Sequence, residues 1–466
     1  MKKFYQIRMS TYLGQKGYTI FKDCIDVKEQ ILIRSELEVK PFTPKGSFYK
    51  PQTFLMYRES NKKIYVPRFY GIQNYGNPDE IRMSEGKDIH LKFSGTLRPH
   101  QAEAVDAFLK SKDKCGLLEI YCGGGKTVCS IKIIELLKKK TLIIVHKSFL
   151  MNQWKERIAQ FLPEAKIGII QGEKFDIENK DIVLGMLQSL SMKDYPASMF
   201  QEFGLTLVDE CHHISSEVFS RALFKIVTKH MLGLSATMKR KDGLTWVFKL
   251  FLGDIVYSKK REGCKVLVKG MKYKTNDGEF GKMETNFRGE IAYARMINKI
   301  CNYNRRSEYI LKIVENTLQQ HPNQQILILG QNKSILKYLY TAIESRNMAT
   351  VGYYLGGMKQ TDLKISETKE IIIATYAMAS EGLDIKTLSI LILATPRSDV
   401  TQAVGRVLRQ EGIQALVIDI IDQHGIFQRQ WTKRRRFYKR SKFEIQVAHK
   451  SENNHEFKNS GICWID

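Results

Sequence analysis

The stretch that decides the fold is GLLEIYCGGGKT, residues 116–127. Its first half is a short apolar run of strand character. Its second half is three glycines and a Lys-Thr pair that opens TVCSIKIIELLKKK (127–140), whose apolar residues recur at helical spacing. A strand, a glycine-rich turn and a helix in that order are what a phosphate-binding loop requires. Glycines let backbone N–H groups turn toward phosphates, and the helix N-terminus adds a favourable dipole. Lys126 reaches the terminal phosphates, and the Thr127 hydroxyl suits Mg²⁺. Cys122, Gly123, Gly124, Gly125, Lys126 and Thr127 are therefore the candidate nucleotide-binding residues. The full pattern has a further glycine five positions before Gly125, where this chain has Ile120. A glycine-rich turn with a chance Lys-Thr is the competing reading of the loop alone.

Working outward, LTLVD (205–209) reads as a second buried strand that delivers Asp209 and Glu210 to its C-terminal end. In a parallel sheet that edge is where ligands bind. Asp209 suits Mg²⁺, directly or through water, and Glu210 is placed to orient and deprotonate the water that attacks a γ-phosphate. An isolated Asp-Glu pair would equally be a solvated turn; the loop upstream gives it meaning. TLIIV, DIVLG and HMLGLSA supply further strands, and SFLMNQWKERIAQFL (148–162) a helix. After residue 305 a second set follows, QILILG, TVGYY, EIIIAT, LSILILA and ALVIDI, with helical segments between them. Strands alternating with helices predict an α/β fold with parallel sheets, here two domains in tandem at 95–258 and 305–466. The basic stretch 259–304 lacks clear periodicity and is expected to be a connector or small insertion.

Residues 1–94 are different material, with 15 aromatics and half of the chain's ten prolines. QILIRSEL and KIYVPRFYG lie between the turn clusters TPKGS and YGNPDE, which predicts a small β-rich (α+β) accessory domain. Its 17 Lys and Arg against 10 acids make a basic surface with interleaved aromatics, suited to nucleic acid, although most single aromatics go to a β core.

The whole chain has 466 residues and a formal charge of +25, which points to a polyanionic partner, nucleic acid first. Net charge for solubility is the plainer reading. The N-terminus lacks an apolar core of signal-peptide length, and no apolar run approaches 18 residues. Secretion and a membrane span are therefore not expected, and the expected location is intracellular, cytoplasmic or nuclear, or a viral factory if the source is viral. Eight cysteines include no C-x-x-C pair and read as reduced thiols that bind no metal.

Beyond the loop and the Asp-Glu pair, the order of motifs resembles a superfamily 2 helicase over about 95–410. Leu97-Arg98-Pro99-His100-Gln101 resembles that family's upstream element, which implies that Gln101 reads the adenine edge. Ser235-Ala236-Thr237 is similar to motif III, implying coupling of nucleotide state to nucleic-acid contact. Ala374-Thr375 through Glu381-Gly382-Leu383-Asp384 resembles motif V, placing Gly382 and Asp384 among the nucleotide-binding candidates. Gln402-Ala403-Val404-Gly405-Arg406-Val407-Leu408-Arg409 resembles motif VI, with Gln402 a coupling residue. Arg406 and Arg409, three apart, share a helix face and suit a γ-phosphate clamp across an interdomain cleft. The string DECH at 209–212 and SATMKRKDGL after motif III resemble the XPB/UvsW-like group, which includes helicases of large DNA viruses. The resemblance implies two RecA-like domains, the cofactors ATP and Mg²⁺, and 3′-to-5′ movement on double-stranded or branched DNA. An RNA helicase or RNA–protein remodelling ATPase with the same engine is the alternative. Protein partners from transcription, replication or repair are not readable from the residues.

The expected nucleic-acid contacts are His146-Lys147-Ser148, Gln188-Ser189, Gln331-Asn332-Lys333 and Thr375-Tyr376, as short polar side chains at helix N-termini suit phosphate oxygens. Ser148 and Ser189 read equally well as helix caps. Arg434-Arg435-Arg436 reads as a phosphate-gripping arm, a nuclear-import signal or a solvated face.

Overall fold

The computed structural model describes residues 10–40, 53–213, 217–238, 243–261, 265–381, 383, 385–407, 414–450 and 457–459. The chain divides into two compact units, Met1–Arg261 and Glu262–Asp466.

The first unit begins with a five-stranded sheet of β1 (Thr11–Gly14), β2 (Gly17–Phe21), β3 (Arg58–Glu59), β4 (Lys63–Val66) and β5 (Glu80–Ile81), in the order β3-β4-β2-β1-β5. Its α/β sheet comprises β6 (Cys115–Ile120), β7 (Thr141–Val145), β8 (Ile167–Gln171), β9 (Lys174–Asp176), β10 (Ile182–Met186), β11 (Leu205–Val208), β12 (His230–Ser235) and β13 (Ile255–Lys259). The order is β9-β8-β10-β7-β11-β12-β6-β13, and every pairing except β8 with β9 is parallel. Parallel strands are buried on both faces, and alternate residues divide accordingly. Leu117, Ile144, Val183, Val208 and Met231 join one apolar cluster, whereas Leu118, Ile143, Leu184, Leu207 and Leu232 join the other.

The first of those clusters also contains Leu13, Tyr18, Ile20 and Ile33, so the N-terminal sheet and the α/β sheet share one core. The helix Arg68–Tyr75 keys the two together. The buried Arg68 guanidinium donates to the Lys229 carbonyl at 2.9 Å and pairs with Asp113 at 3.1 Å. On the N-terminal sheet, Lys63 lies over the rings of Tyr12 and Phe21, and Arg82 over Tyr12.

The second unit holds β14 (Val266–Tyr273), β15 (Gln325–Gly330), β16 (Val351–Tyr354), β17 (Ile371–Thr375), β18 (Leu388–Leu393), β19 (Ala415–Asp422), β20 (Glu444–Lys450) and β21 (Phe457–Asn459), in the order β16-β17-β15-β18-β19-β14-β20-β21. The stretch 259–304, expected as a connector or small insertion, contains β14, which pairs along its length with β19 and with β20. Lysines at 269 and 272, with Lys265 just before it, dilute its apolar pattern. Lys269 is nonetheless buried, and burial pushes its ammonium pKa down to about 8.

Two buried ion pairs lock this unit. Arg306 meets Asp422 with neither side chain exposed, and Arg434 reaches Asp419 through two bonds of 2.7 and 2.8 Å. Tyr438 also donates to Asp419, at 2.9 Å. Arg434 lies on the helix Gly425–Arg440, whose buried stripe is Phe427, Trp431, Arg434 and Tyr438. The expected phosphate-gripping arm is therefore corrected at this residue: Arg434 faces inward at helical spacing, and only its neighbours Arg435 and Arg436 face solvent. Removing one partner of a buried pair strands the other charge, so Arg434→Ala is expected to cost about 3–5 kcal/mol in denaturant unfolding. Arg435→Ala should stay within about 0.5 kcal/mol of wild type.

Candidate active site at the strand ends of the first unit

The order β7-β11-β12-β6 sets the site. It places the loop after β6 one strand away from the acids after β11, with the end of β12 between them. Gly123 and Gly125 hold φ of +83° and +88°, conformations that glycine adopts without strain. A Cβ on Gly125 would also stand 2.0 Å from the Gln101 amide nitrogen. The helix Lys126–Leu137 starts directly after this turn, so Lys126 and Thr127 occupy its first two positions. Ile120, standing where the generic pattern has glycine, is fully buried at the end of β6.

Gln101 braces this loop. Its side-chain oxygen accepts from the Arg98 N–H at 2.9 Å, and its nitrogen donates to the Gly124 carbonyl at 3.2 Å. Each end of the buried amide thus has a partner within the protein.

At the end of β11, the Asp209 carboxylate is buried. It accepts from the Trp154 indole N–H and from the Glu210 backbone N–H, each at 2.9 Å. Desolvation first, then repulsion from Glu210, push its pKa up to about 6; the Trp154 bond and the Lys126 charge act in the opposite direction. Glu210 stands at φ +47°, a conformation that costs a non-glycine residue about 1–3 kcal/mol and that recurs at functional sites. Its carboxylate lies 3.6 Å from Lys126 Nζ and 3.3 Å from His212 Nδ1. His212 Nδ1 also lies 2.8 Å from Ser235 Oγ, which donates to the Thr237 carbonyl and accepts from the Thr237 N–H. A continuous polar chain therefore runs from Lys126 through Glu210 and His212 to Ser235 and Thr237, passing Ala236.

Two participants escape sequence reasoning. Trp154 reads as one apolar residue of an amphipathic helix, and its partner is 55 residues away. His212 is visible only as the last letter of DECH. Trp154 carries no local signal, and the motif letter alone does not give His212 its partners.

The other expected residues are placed as follows. His146 and Lys147 follow β7, Ser148 opens the helix Ser148–Phe161, and Ser148 is exposed. Gln188 is exposed, whereas Ser189 accepts from the Gly172 N–H at 2.9 Å. In the second unit Asn332 caps the helix Lys333–Ser345 through Ser334 N–H at 2.8 Å, with Gln331 and Lys333 exposed beside it. Thr375 ends β17, its hydroxyl accepting from the Met378 N–H. Tyr376 is corrected as a nucleic-acid contact: it is buried and donates to the Thr395 carbonyl at 2.6 Å. Gln402 and Arg406 share the helix Thr401–Val407, and Arg406 Nε donates to the Ala379 carbonyl at 3.0 Å. Gly382, Asp384 and Arg409 lie outside the described residues.

Comparison with known proteins agrees with this geometry. Residues 94–240 match the family model described as Type III restriction enzyme, res subunit, and residues 307–411 match the helicase conserved C-terminal domain. A protein of Acanthamoeba polyphaga mimivirus that carries the name of an ATP-dependent RNA helicase is 34% identical over 98% of this chain and 90% of its own. This chain belongs to the superfamily 2 helicases. A helicase of Invertebrate iridescent virus 6 is 26% identical over 88% of this chain and 95% of its own. The DNA 3′-5′ translocase XPB2 of Sulfurisphaera tokodaii is 24% identical over 76% of this chain and 89% of its own. These relatives place the helicase in the XPB-like group, and it is an ATP-hydrolysing enzyme.

Because the Trp154 bond favours the ionised form of Asp209, Trp154→Phe is expected to raise the pKa of that carboxyl further. A bond to a charged group is worth about 1.5–3 kcal/mol, so the acid limb of kcat/KM for ATP should move up by about one pH unit. A pH–rate profile checks it: an unmoved limb would mean that Trp154 only fills space.

Proposed function

We propose that this helicase is an ATP-driven translocase on double-stranded or branched DNA, moving 3′-to-5′. The reading rests chiefly on the polar chain from Lys126 to Thr237, which links the phosphate loop to the motif III residues in a protein of net charge +25. The XPB2 relative bears a DNA translocase name, which favours DNA. The mimivirus relative bears an RNA helicase name, so RNA is the second reading.

In this mechanism the backbone of Cys122–Gly125 and the Lys126 ammonium hold the ATP phosphates. Glu210 orients the attacking water and takes its proton. Its strained backbone and its contacts with Lys126 and His212 fix its direction. Mg²⁺ fits the residues present, since Asp209 is an acid deprived of water beside a second acid, and its ionised form gains from a cation. Thr127 and Asp209 would hold it, and the ion supplies neutralising charge to the terminal phosphates. Arg406 and Arg409 act on the charge that develops at the γ-phosphate. Gly382 and Asp384 take part at the same nucleotide.

Phosphate oxygens of the polymer meet His146, Lys147, Ser148 and Gln188 on one unit and Gln331, Asn332, Lys333 and Thr375 on the other. His212, Ser235 and Thr237 relay the nucleotide state toward those loops, with Gln402 the corresponding residue of the second unit. The cation-decorated N-terminal sheet is placed to read the substrate, its rings stacked with Lys63 and Arg82.

Steady-state ATPase with single-stranded DNA, duplex DNA, a four-way junction and RNA, at two salt concentrations, tests the reading. Stimulation by duplex or junction DNA that falls steeply with salt is expected. Lys126→Ala should abolish turnover, and Glu210→Gln should bind ATP without hydrolysing it. Stimulation by RNA alone would overturn the DNA assignment.

A further inference from the structure

Phe287 is the most exposed large apolar side chain among the described residues, at 92% of its full accessibility. Leaving a ring of that size in water forgoes about 1.5–3 kcal/mol of burial. A slack loop would fold it inward, but this turn is stiff. The Asn286 N–H donates to the Glu290 carbonyl at 2.8 Å and the Gly289 N–H to the Asn286 carbonyl at 3.0 Å. The Asn286 side chain accepts from the N–H groups of Arg288 and Glu290, at 2.9 and 3.0 Å. Gly289, at φ +75°, takes the left-handed position of the turn, and Thr285 bridges to Ile291 below it.

The turn is also tied down at its base. Arg295 donates to the Thr285 carbonyl at 3.2 Å, and Lys299 to the Lys282 carbonyl at 2.9 Å. Both residues lie on the helix Tyr293–Cys301, and that helix carries the turn to a place of consequence. Tyr293 donates to Gln331 Oε1 at 3.3 Å, and Asn298 accepts from Asn332 at 2.7 Å. The exposed ring thus stands on a turn tied to the helix that braces the Gln331–Lys333 loop, the candidate phosphate contact of the second unit. Beside the ring, the exposed Arg288 guanidinium lies 5.1 Å from its centroid.

We propose that Phe287 and Arg288 form a stacking tip for an unpaired nucleobase of the polymer whose backbone the Gln331–Lys333 loop contacts. An aromatic face paired with a guanidinium is the chemistry that holds unstacked bases, which offer π-faces whatever their identity. The adjoining loop contributes the phosphate contacts such a base would need, and the proposal rests on the nucleic-acid reading above. The stiff turn prepays the ordering that a base-binding loop otherwise loses on association.

The test is equilibrium binding of the full chain to a forked DNA with a single-stranded arm, to blunt duplex, and to the RNA fork, for wild type, Phe287→Ala, Phe287→Leu and Phe287→Trp. Stacking is worth about 1–3 kcal/mol per base, so Phe287→Ala should bind the preferred fork about ten-fold more weakly, with blunt duplex affinity and polymer-free ATPase unchanged. Phe287→Leu should resemble Ala, because it keeps apolar bulk without a π-face. Phe287→Trp should retain affinity and show indole emission quenched by the fork beyond any change in wild type. The preferred fork, DNA or RNA, identifies the polymer. Equal fork binding by wild type and Phe287→Ala would overturn the tip alone. Full rescue by Phe287→Leu would overturn stacking in favour of an apolar protein contact. Failure of wild type to bind any of these polymers would instead sink the nucleic-acid reading.

Discussion

A carboxylate taken out of water at the end of β11 constrains everything around it. Asp209 is held by the Trp154 indole and by the backbone of Glu210, and Lys126 is the nearby cation that offsets its repulsion from that neighbour. Such an acid is stable as an anion only with its partners in place. The loop after β6, the helix Ser148–Phe161 and the twist of backbone at Glu210 must therefore hold their positions together. The same requirement makes the site responsive: a nucleotide that engages Lys126 alters the charge felt by both acids, and His212 stands next in line with Ser235.

The sequence made the engine legible because its parts are contiguous. A strand, three glycines and Lys-Thr lie within twelve residues, and the Asp-Glu pair ends an unbroken apolar run. Parallel strands buried on both faces leave runs such as TLIIV and LSILILA that few other structures would tolerate. Legibility failed where a residue's meaning lay in a distant partner. Trp154 needs Asp209, Arg434 needs Asp419, and Tyr376 needs the Thr395 carbonyl. It failed again at β14, where two lysines hide a strand that the sheet itself shows to be internal.

The N-terminal region illustrates a related point about autonomy. Its β-rich composition was readable, yet its core is continuous with one face of the first α/β sheet through Leu13, Tyr18, Ile20 and Ile33. Apolar area is buried jointly, and Arg68 fixes the registration by donating to backbone at the foot of β12. The N-terminal sheet and the strand ends that carry the nucleotide-site residues therefore belong to one packed unit. The second unit carries its own rigid element, the braced turn that presents Phe287.

The proposed mechanism gives Arg406 a part in ATP hydrolysis rather than in ATP binding. Arg406→Ala tests this most directly, with ATP affinity and single-turnover hydrolysis measured on the same protein in the presence of stimulating polymer. The expected result is ATP affinity within a few-fold of wild type and hydrolysis slowed about a thousand-fold or more. Hydrolysis at the wild-type rate would contradict it, since the chemistry would then not need Arg406.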